Sequence, residues 1–229
     1  MHESVAAIAS CGASPIVRIP ANEGWMVKRA LDSGAHGIVV PLLYNAADAR
    51  ALVQSAKFPP VGQRGYGSPF TMGSFAVQGD LSGLDYLQNA NEALLTIVQI
   101  ETKRAFENVD EIAKVDGIDA LFIGPWDLGN NLGYPVTGEF ATELKAAIAK
   151  ILQMAKANGK KAGIYTTSGE MAKLYADQGF DMVLYSHSKA SLAAPTDELS
   201  LDLCFGGHGG ATDIYGIVAD AGKRGKGWV

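Results

Sequence analysis

Apolar residues arrive in short dense runs, and between the runs they recur every three or four positions. The stretches 15–19, 37–43, 95–101, 118–123, 161–165 and 182–185 read as buried strands. Helical spacing marks 5–9, a segment from an Asn22 N-cap through Leu31, 46–56, a short piece around Tyr86, Leu87 and Ala90, then 102–114 and 139–158. Gly34 and Gly159 are placed to supply left-handed helix ends, and Thr167-Ser168-Gly169-Glu170 has capping-box spacing ahead of a helix through Gln178. Strand and helix alternate throughout, which predicts a parallel sheet covered by helices, either open or closed into a barrel. Six strands are counted, whereas a closed eightfold barrel takes about 250 residues, and the chain opens on a helix with no strand before it. The expectation is a start that lacks the first strands. Residues 59–83 form a glycine- and proline-rich stretch of a length that is usually functional or mobile. From Ser186 the pattern weakens, so 1–195 is taken as one domain and 196–229 as a glycine-rich, loosely ordered C-terminal tail.

Two acids stand out against this pattern. Glu101 closes the run Leu95-Thr96-Ile97-Val98-Gln99-Ile100, and Asp127 follows Ala120-Leu121-Phe122-Ile123-Gly124-Pro125-Trp126. Loops beyond the carboxyl ends of neighbouring parallel strands are where catalytic groups gather, so both carboxylates can reach one point. Two anions converging on a pocket repel unless a cation or a shared proton lies between them, and oxygen-only ligation favours magnesium, manganese or calcium. Either acid alone is better explained as a partner for a helix dipole; recurrence at two successive strand ends favours a divalent-metal enzyme. Arg18 ends its strand among apolar neighbours and offers a planar fork for a carboxylate or a polarised carbonyl, with a surface ion pair as the plainer account. Gln99 shares a strand face with Glu101 by the period of two. Backbone donors of the turn Gly124-Pro125-Trp126-Asp127 can approach an anion.

Composition narrows the classes. At 229 residues, 48% hydrophobic and 19% charged, the chain can bury the core of one large α/β domain. A net charge of -5, relieved only by Lys223-Arg224-Gly225-Lys226, argues against a nucleic-acid or anionic-membrane surface. Cys11 and Cys204 have neither the number nor the spacing of a disulfide framework or a zinc site, and neither a membrane span nor a signal sequence is present, so a cytoplasmic protein is expected. His2 reads as a helix-start residue, His36 and His187 as structural, and His208 as part of a flexible glycine cluster. No nucleophile elbow, reactive thiol or dinucleotide fingerprint is found, which disfavours a redox cofactor.

Five motifs taken together resemble the HpcH/HpaI aldolase family: Ile16-Val17-Arg18, Gly37-Ile38-Val39-Val40-Pro41, Pro59-Pro60-Val61-Gly62-Gln63-Arg64-Gly65, Val98-Gln99-Ile100-Glu101-Thr102 and Phe122-Ile123-Gly124-Pro125-Trp126-Asp127-Leu128. Within the family, the resemblance points to the macrophomate synthase branch. The resemblance implies a (β/α)₈ TIM barrel, about six of whose eight strands lie in this chain, usually in a homo-oligomer that is a hexamer. It implies Glu101 and Asp127 as ligands of a divalent metal, Mg²⁺ or Mn²⁺, with Arg18 beside the keto oxygen of a 2-oxo acid such as pyruvate or oxaloacetate. Gln99 lines the site, and the turn at Trp126 and Asp127 offers backbone donors to the substrate carboxylate; most relatives carry a small residue where Trp126 stands. Tyr86 is a contact suggested by the macrophomate synthase branch. The implied activity is carbon–carbon lyase chemistry through a pyruvate enolate, either retro-aldol cleavage and aldol addition or oxaloacetate decarboxylation.

One departure opens an alternative. Members carry an Asp-x-Glu-His segment whose histidine assists proton transfer, and this chain has none. A catalytically impaired homologue that binds metal and 2-oxo acids, or serves only in oligomerisation, fits that absence. A citryl-CoA-type lyase fits less well, since no basic cluster suited to a CoA phosphate stands near the motifs.

Overall fold

A computed structural model describes residues 1–75, 81–185 and the strand 213–217. The chain runs α1 (His2–Ser10), β1 (Ser14–Arg18), α2 (Gly24–Asp32), β2 (Gly37–Val40), α3 (Ala46–Ala56), α4 (Gly83–Ala93), β3 (Leu95–Ile100), α5 (Lys103–Glu107), α6 (Val109–Ala113), β4 (Ala120–Ile123), α7 (Pro125–Leu132), α8 (Thr142–Ala157), β5 (Lys161–Thr166), α9 (Gly169–Asp177), β6 (Met182–Tyr185) and β7 (Asp213–Ile217). Every strand expected from the pattern is present. Val- and Ile-rich runs form strands because branched side chains fit a pleated surface buried on both faces.

The order in the sheet is β6-β5-β4-β3-β2-β1-β7. The first six strands are parallel and lie side by side in chain order. Right-handed crossovers that always step in one direction leave every helix on the same face of the sheet. The opposite face must then fold in on itself, which excludes the open, doubly covered alternative. Six parallel strands form a curled half-barrel of the TIM type.

Strand residues sort by parity into two cores. Val17, Ile38, Val40, Val98, Ile100, Leu121, Ile123, Ala162 and Ile164 pack outward with the helices, in a cluster that also holds Val27, Leu52, Ile112, Leu144 and Ile151. Ile16, Val39, Ile97, Ala120 and Phe122 form a smaller inward cluster, joined by Leu95, Tyr165, Met182 and Leu184. A Cβ on Gly163 would stand 2.5 Å from Phe122 Cδ2, so glycine makes room for that ring inside the curl.

Buried polar groups anchor the amino-terminal ends of the strands. Lys57 Nζ donates to the carbonyls of Asn91 and Leu94, both at 2.8 Å, and lies 3.7 Å from Asp119 Oδ2. Asp119 in turn accepts from Thr96 N at 2.6 Å. Burial is the largest influence on both charges, lowering Lys57 and raising Asp119 from their ordinary pKa values, so desolvation outweighs their attraction. Arg64 is buried on Asp32 at 2.9 Å and on the Tyr86 hydroxyl at 3.1 Å, with its guanidinium 4.6 Å over the Phe58 ring. His36 just ahead of β2 stacks on Phe75 at 4.1 Å and meets the Ser74 carbonyl through Nε2. The long 59–83 stretch is therefore tied down where it is described, at Arg64 and again at Ser74 and Phe75.

Local differences from the pattern have plain causes. β2 ends at Val40 because Pro41 has no N–H to give to a ladder and Leu42 adopts φ 53°. The 102–114 helix is two short helices that meet at Asn108. α7 begins at Pro125 where only a turn was expected: proline is suited to the first helical position, and Gly133 at φ 87° closes the helix. Glu23 rather than Asn22 precedes α2, and Asn22 Nδ2 instead donates to the Asp48 carbonyl at 2.9 Å. Ser168 caps α9 by accepting from Met171 N, and the full capping box occurs at Ser82 and Asp85. β7, not expected from the pattern, pairs antiparallel with β1 inside the segment taken as a loose tail. His187, Cys204 and His208 lie outside the described residues. Among the described residues, no helix is long and apolar enough to cross a membrane.

Lys57→Ala removes two charge-assisted bonds and leaves two carbonyls and Asp119 without their cation, so we expect a loss of about 3 kcal/mol. A fall in the urea midpoint checks this. Lys161→Ala, which breaks an exposed pair with Asp181, should leave that midpoint unchanged.

Candidate active site

Parity places the polar residues of interest. Arg18 lies two residues beyond the inward-facing Ile16, and Gln99 and Glu101 lie two and four beyond the inward-facing Ile97. All three therefore project from the inner surface at the carboxyl-terminal rim. β4 contributes from the next position, since Gly124 and α7 follow directly on Ile123.

Glu101 is buried, with 4% of its surface exposed. Its Oε1 accepts from Leu42 N at 2.8 Å and its Oε2 accepts from Gln99 Nε2 at 2.8 Å. An ionised carboxylate accepts only, so the Gln99 amide must turn its nitrogen toward Glu101. Gln99 Oε1 is then left buried without a hydrogen-bond partner. Burial pushes the Glu101 pKa up, the Leu42 N–H pulls it down, the Asp127 charge raises it and the Arg18 charge lowers it. Both charged neighbours are thus within electrostatic reach of the buried acid.

Asp127 occupies the first turn of α7 and is exposed. One acid is locked in the wall and the other stands in the opening. The first-turn amides of Trp126 and Asp127 precede the first intrahelical bond, which Leu128 N makes to the Gly124 carbonyl. Trp126 is half-buried, edge-on to Phe140 at 5.5 Å and to Tyr165 at 5.4 Å, and so forms an aromatic side of the opening. A Cβ at Gly124 would fall 2.6 Å from Glu101 Oε2 and 3.3 Å from Glu101 Cβ, so the turn passes over the carboxylate only because that residue is glycine.

The structure brings Arg18, Gln99, Glu101, Trp126 and Asp127 to one rim. It does not bring Tyr86 there. Tyr86 is 1% exposed, bonded to Arg64 and packed against Phe58 and Phe75, in the cluster with Asp32 and His36 at the amino-terminal end of β2. Sequence reasoning missed the Leu42 amide and the requirement for Gly124. The break at Pro41 was the available signal for the first; nothing in the spacing marked the second.

A hard cation suits the donors that are present. Each Glu101 oxygen retains a lone pair after accepting one bond, Asp127 is free of a carboxylate's usual burial cost, and an orphaned amide oxygen sits beside them. Among the described residues, no group of three or more His, Cys, Asp and Glu side chains is placed to hold a metal, so two carboxylates are the acidic donors on offer.

The profile of the family HpcH/HpaI aldolase/citrate lyase matches residues 1–195. The chain belongs to this family and is therefore placed among carbon–carbon lyases. It is 36% identical over 197 residues to a 2-dehydro-3,6-dideoxy-6-sulfogluconate aldolase of Pseudomonas putida, covering 86% of this chain and 75% of that protein. Among solved structures, an HpcH/HpaI aldolase/citrate lyase family protein from Burkholderia cenocepacia superposes with a TM-score of 0.70 at 32% identity, over 81% of this chain and 74% of that one. Macrophomate synthase is a more distant neighbour, with a TM-score of 0.63 and 28% identity over 74% of this chain and 59% of that one.

Gly124→Ala should lower stability by about 1–3 kcal/mol, because the added methyl displaces Glu101 or the turn above it. Thermal melting of the variant checks this, with Gly138→Ala as a control whose Cβ would meet nothing within 4 Å.

Proposed function

We propose that this chain is a divalent-metal-dependent carbon–carbon lyase acting on 2-oxo acids through a pyruvate enolate. The observation that carries the reading is the Glu101 carboxylate, buried beside an orphaned Gln99 oxygen and within electrostatic reach of both Asp127 and Arg18. Glu101 and Asp127 are the residues that would hold Mg²⁺ or Mn²⁺. When bound, the ion supplies Lewis-acid polarisation of the 2-oxo carbonyl.

The rest follows from the chain's own groups. Arg18 orients the 2-oxo acid and adds positive charge where the enolate oxygen develops, a contribution that is greater in the transition state than in the ground state. First-turn amides of α7 receive the substrate carboxylate, helped by the helix's N-terminal dipole. Gln99 Oε1 accepts from a substrate hydroxyl or an ordered water, which satisfies the buried oxygen. Trp126, backed by Phe140 and Tyr165, excludes water from one side. Stabilising one enolate serves retro-aldol cleavage, aldol addition and oxaloacetate decarboxylation alike. The Pseudomonas putida relative is named for a 2-dehydro acid, which supports the 2-oxo class of substrate. A cytoplasmic homo-oligomer, hexameric as the family resemblance implies, completes the proposal.

The test is pyruvate release from oxaloacetate or a 4-hydroxy-2-oxo acid with Mg²⁺ or Mn²⁺. Asp127→Asn and Glu101→Gln should abolish it, and Arg18→Lys should slow it about 100-fold or more. Equal rates in parent and acid variants would remove the site assignment, and pyruvate binding without turnover would leave the impaired homologue. Without metal, Glu101→Gln should melt at or above the parent's temperature. It removes a desolvated charge, and Gln99 can turn over so that its orphaned oxygen gains a donor.

A further inference from the structure

On the inner face of the curl, strand residues line up in rows. Gln99 is in register with Phe122, and Phe122 with Gly163. Ile100, Ile123 and Ile164 come next and point outward to the helices. One residue further along each strand, the same register sets Glu101, Gly124 and Tyr165 in the last inner row, with Leu184 of β6 as the partner of Tyr165. The direction of Gly124 agrees, since its Cβ would fall 2.6 Å from Glu101 Oε2. Glycine adds no side chain to the row, so Tyr165 is the next side chain across from Glu101, two strand spacings or about 10 Å away. Its ring packs on the inner cluster and stands 5.4 Å from the Trp126 ring, nearly perpendicular to it. Tyr165 is half-buried, and among the described residues its hydroxyl has no hydrogen-bond partner. Packing accounts for the ring and leaves the oxygen unexplained, because a phenol set in an apolar wall ordinarily meets a polar group. Leu184 on its far side is apolar, so the open lane over Gly124 is where such a group can stand.

We propose that Tyr165 marks the acceptor side of the site, its hydroxyl donating a hydrogen bond to the carbonyl oxygen of an aldehyde that lies over Gly124. The inference rests on the lyase reading of Glu101 and Asp127 and adds to it a residue for the second substrate. In the addition direction, C3 of the enolate gives its electron pair to the aldehyde carbon. The carbon–oxygen π pair moves onto oxygen, and the resulting alkoxide takes a proton from water. Negative charge grows on that oxygen in the transition state, where a fixed donor stabilises it more than it stabilises the free aldehyde. Cleavage runs through the same transition state in reverse and returns the proton to water. Decarboxylation of oxaloacetate makes no such demand. There the breaking bond releases carbon dioxide, and charge leaves the carboxylate end for the enolate. The hydroxyl therefore separates two reactions that share one intermediate.

Pyruvate release by the full chain with Mg²⁺, from 4-hydroxy-2-oxopentanoate and separately from oxaloacetate, reads both reactions through one product. Tyr165→Phe keeps the ring against Trp126 and removes only the oxygen. It should lower the ratio of cleavage to decarboxylation at least about tenfold, with the loss in kcat for cleavage. An unchanged or raised ratio, including a parallel fall of both rates, overturns the acceptor role and leaves the lyase reading standing. A parent that decarboxylates oxaloacetate but does not cleave the hydroxy acid overturns it too. Release of pyruvate from neither substrate by the parent overturns the lyase reading, and the acceptor role falls with it.

Discussion

A carboxylate taken out of water is tolerated only where other donors replace the water, and the Glu101 side chain shows how much of the structure that exchange recruits. β3 carries the acid, the segment after β2 supplies the Leu42 N–H, a strand neighbour two residues back supplies the Gln99 amide, and the turn after β4 passes overhead at Gly124. Three successive βα connections thus meet on one functional group. Moving any of these elements by an ångström would strand a negative charge in a low-dielectric wall, at a cost of several kcal/mol. Packing of the parallel strands and the electrostatics of the rim are one problem with one solution.

The two ends of the sheet divide the work. At the amino-terminal end, buried cations are spent on the fold: Lys57 is fixed to two backbone carbonyls, and Arg64 is held by Asp32, Tyr86 and an aromatic face. Among the described residues each end holds one buried polar atom without a hydrogen-bond partner, Arg64 Nε at the amino-terminal end and Gln99 Oε1 at the carboxyl-terminal end. The Gln99 oxygen differs in lying beside a buried carboxylate. Tyr86, though polar and deeply placed, belongs to the scaffold. Its hydroxyl answers Arg64, and burial raises its pKa beyond the ordinary tyrosine value.

Much of this was legible in the sequence. Short β-branched runs gave the six parallel strands, all within a residue or two except β2, which stops three residues early at Val40, because a strand covered on both faces leaves no room for polar interruption. The pair Glu101 and Asp127 was visible as an acid after each of two neighbouring strands, and Arg18 as a charge closing another. Elements governed by backbone geometry were not legible. Gly124-Pro125 reads equally as a turn or a helix start, and the difference rests on whether a helix can continue to a left-handed stop at Gly133. The pairing of β7 with β1 depends on which edge is open, a property of the assembled sheet rather than of residues 213–217. Tyr86 was suggested by the macrophomate synthase branch and not by its own spacing, and its contacts with Arg64 and Phe75 place it away from the rim.

Leu42 adopts φ 53° while half its surface remains exposed. A left-handed leucine carries a torsional penalty of about 1–2 kcal/mol, retained here because the resulting amide points at Glu101. The consequence is a separation of duties within a single residue. Its peptide group is committed to the buried acid, so proline is barred at that position and glycine or asparagine is the least strained replacement. Its side chain, half exposed, can change without disturbing the bond to Glu101.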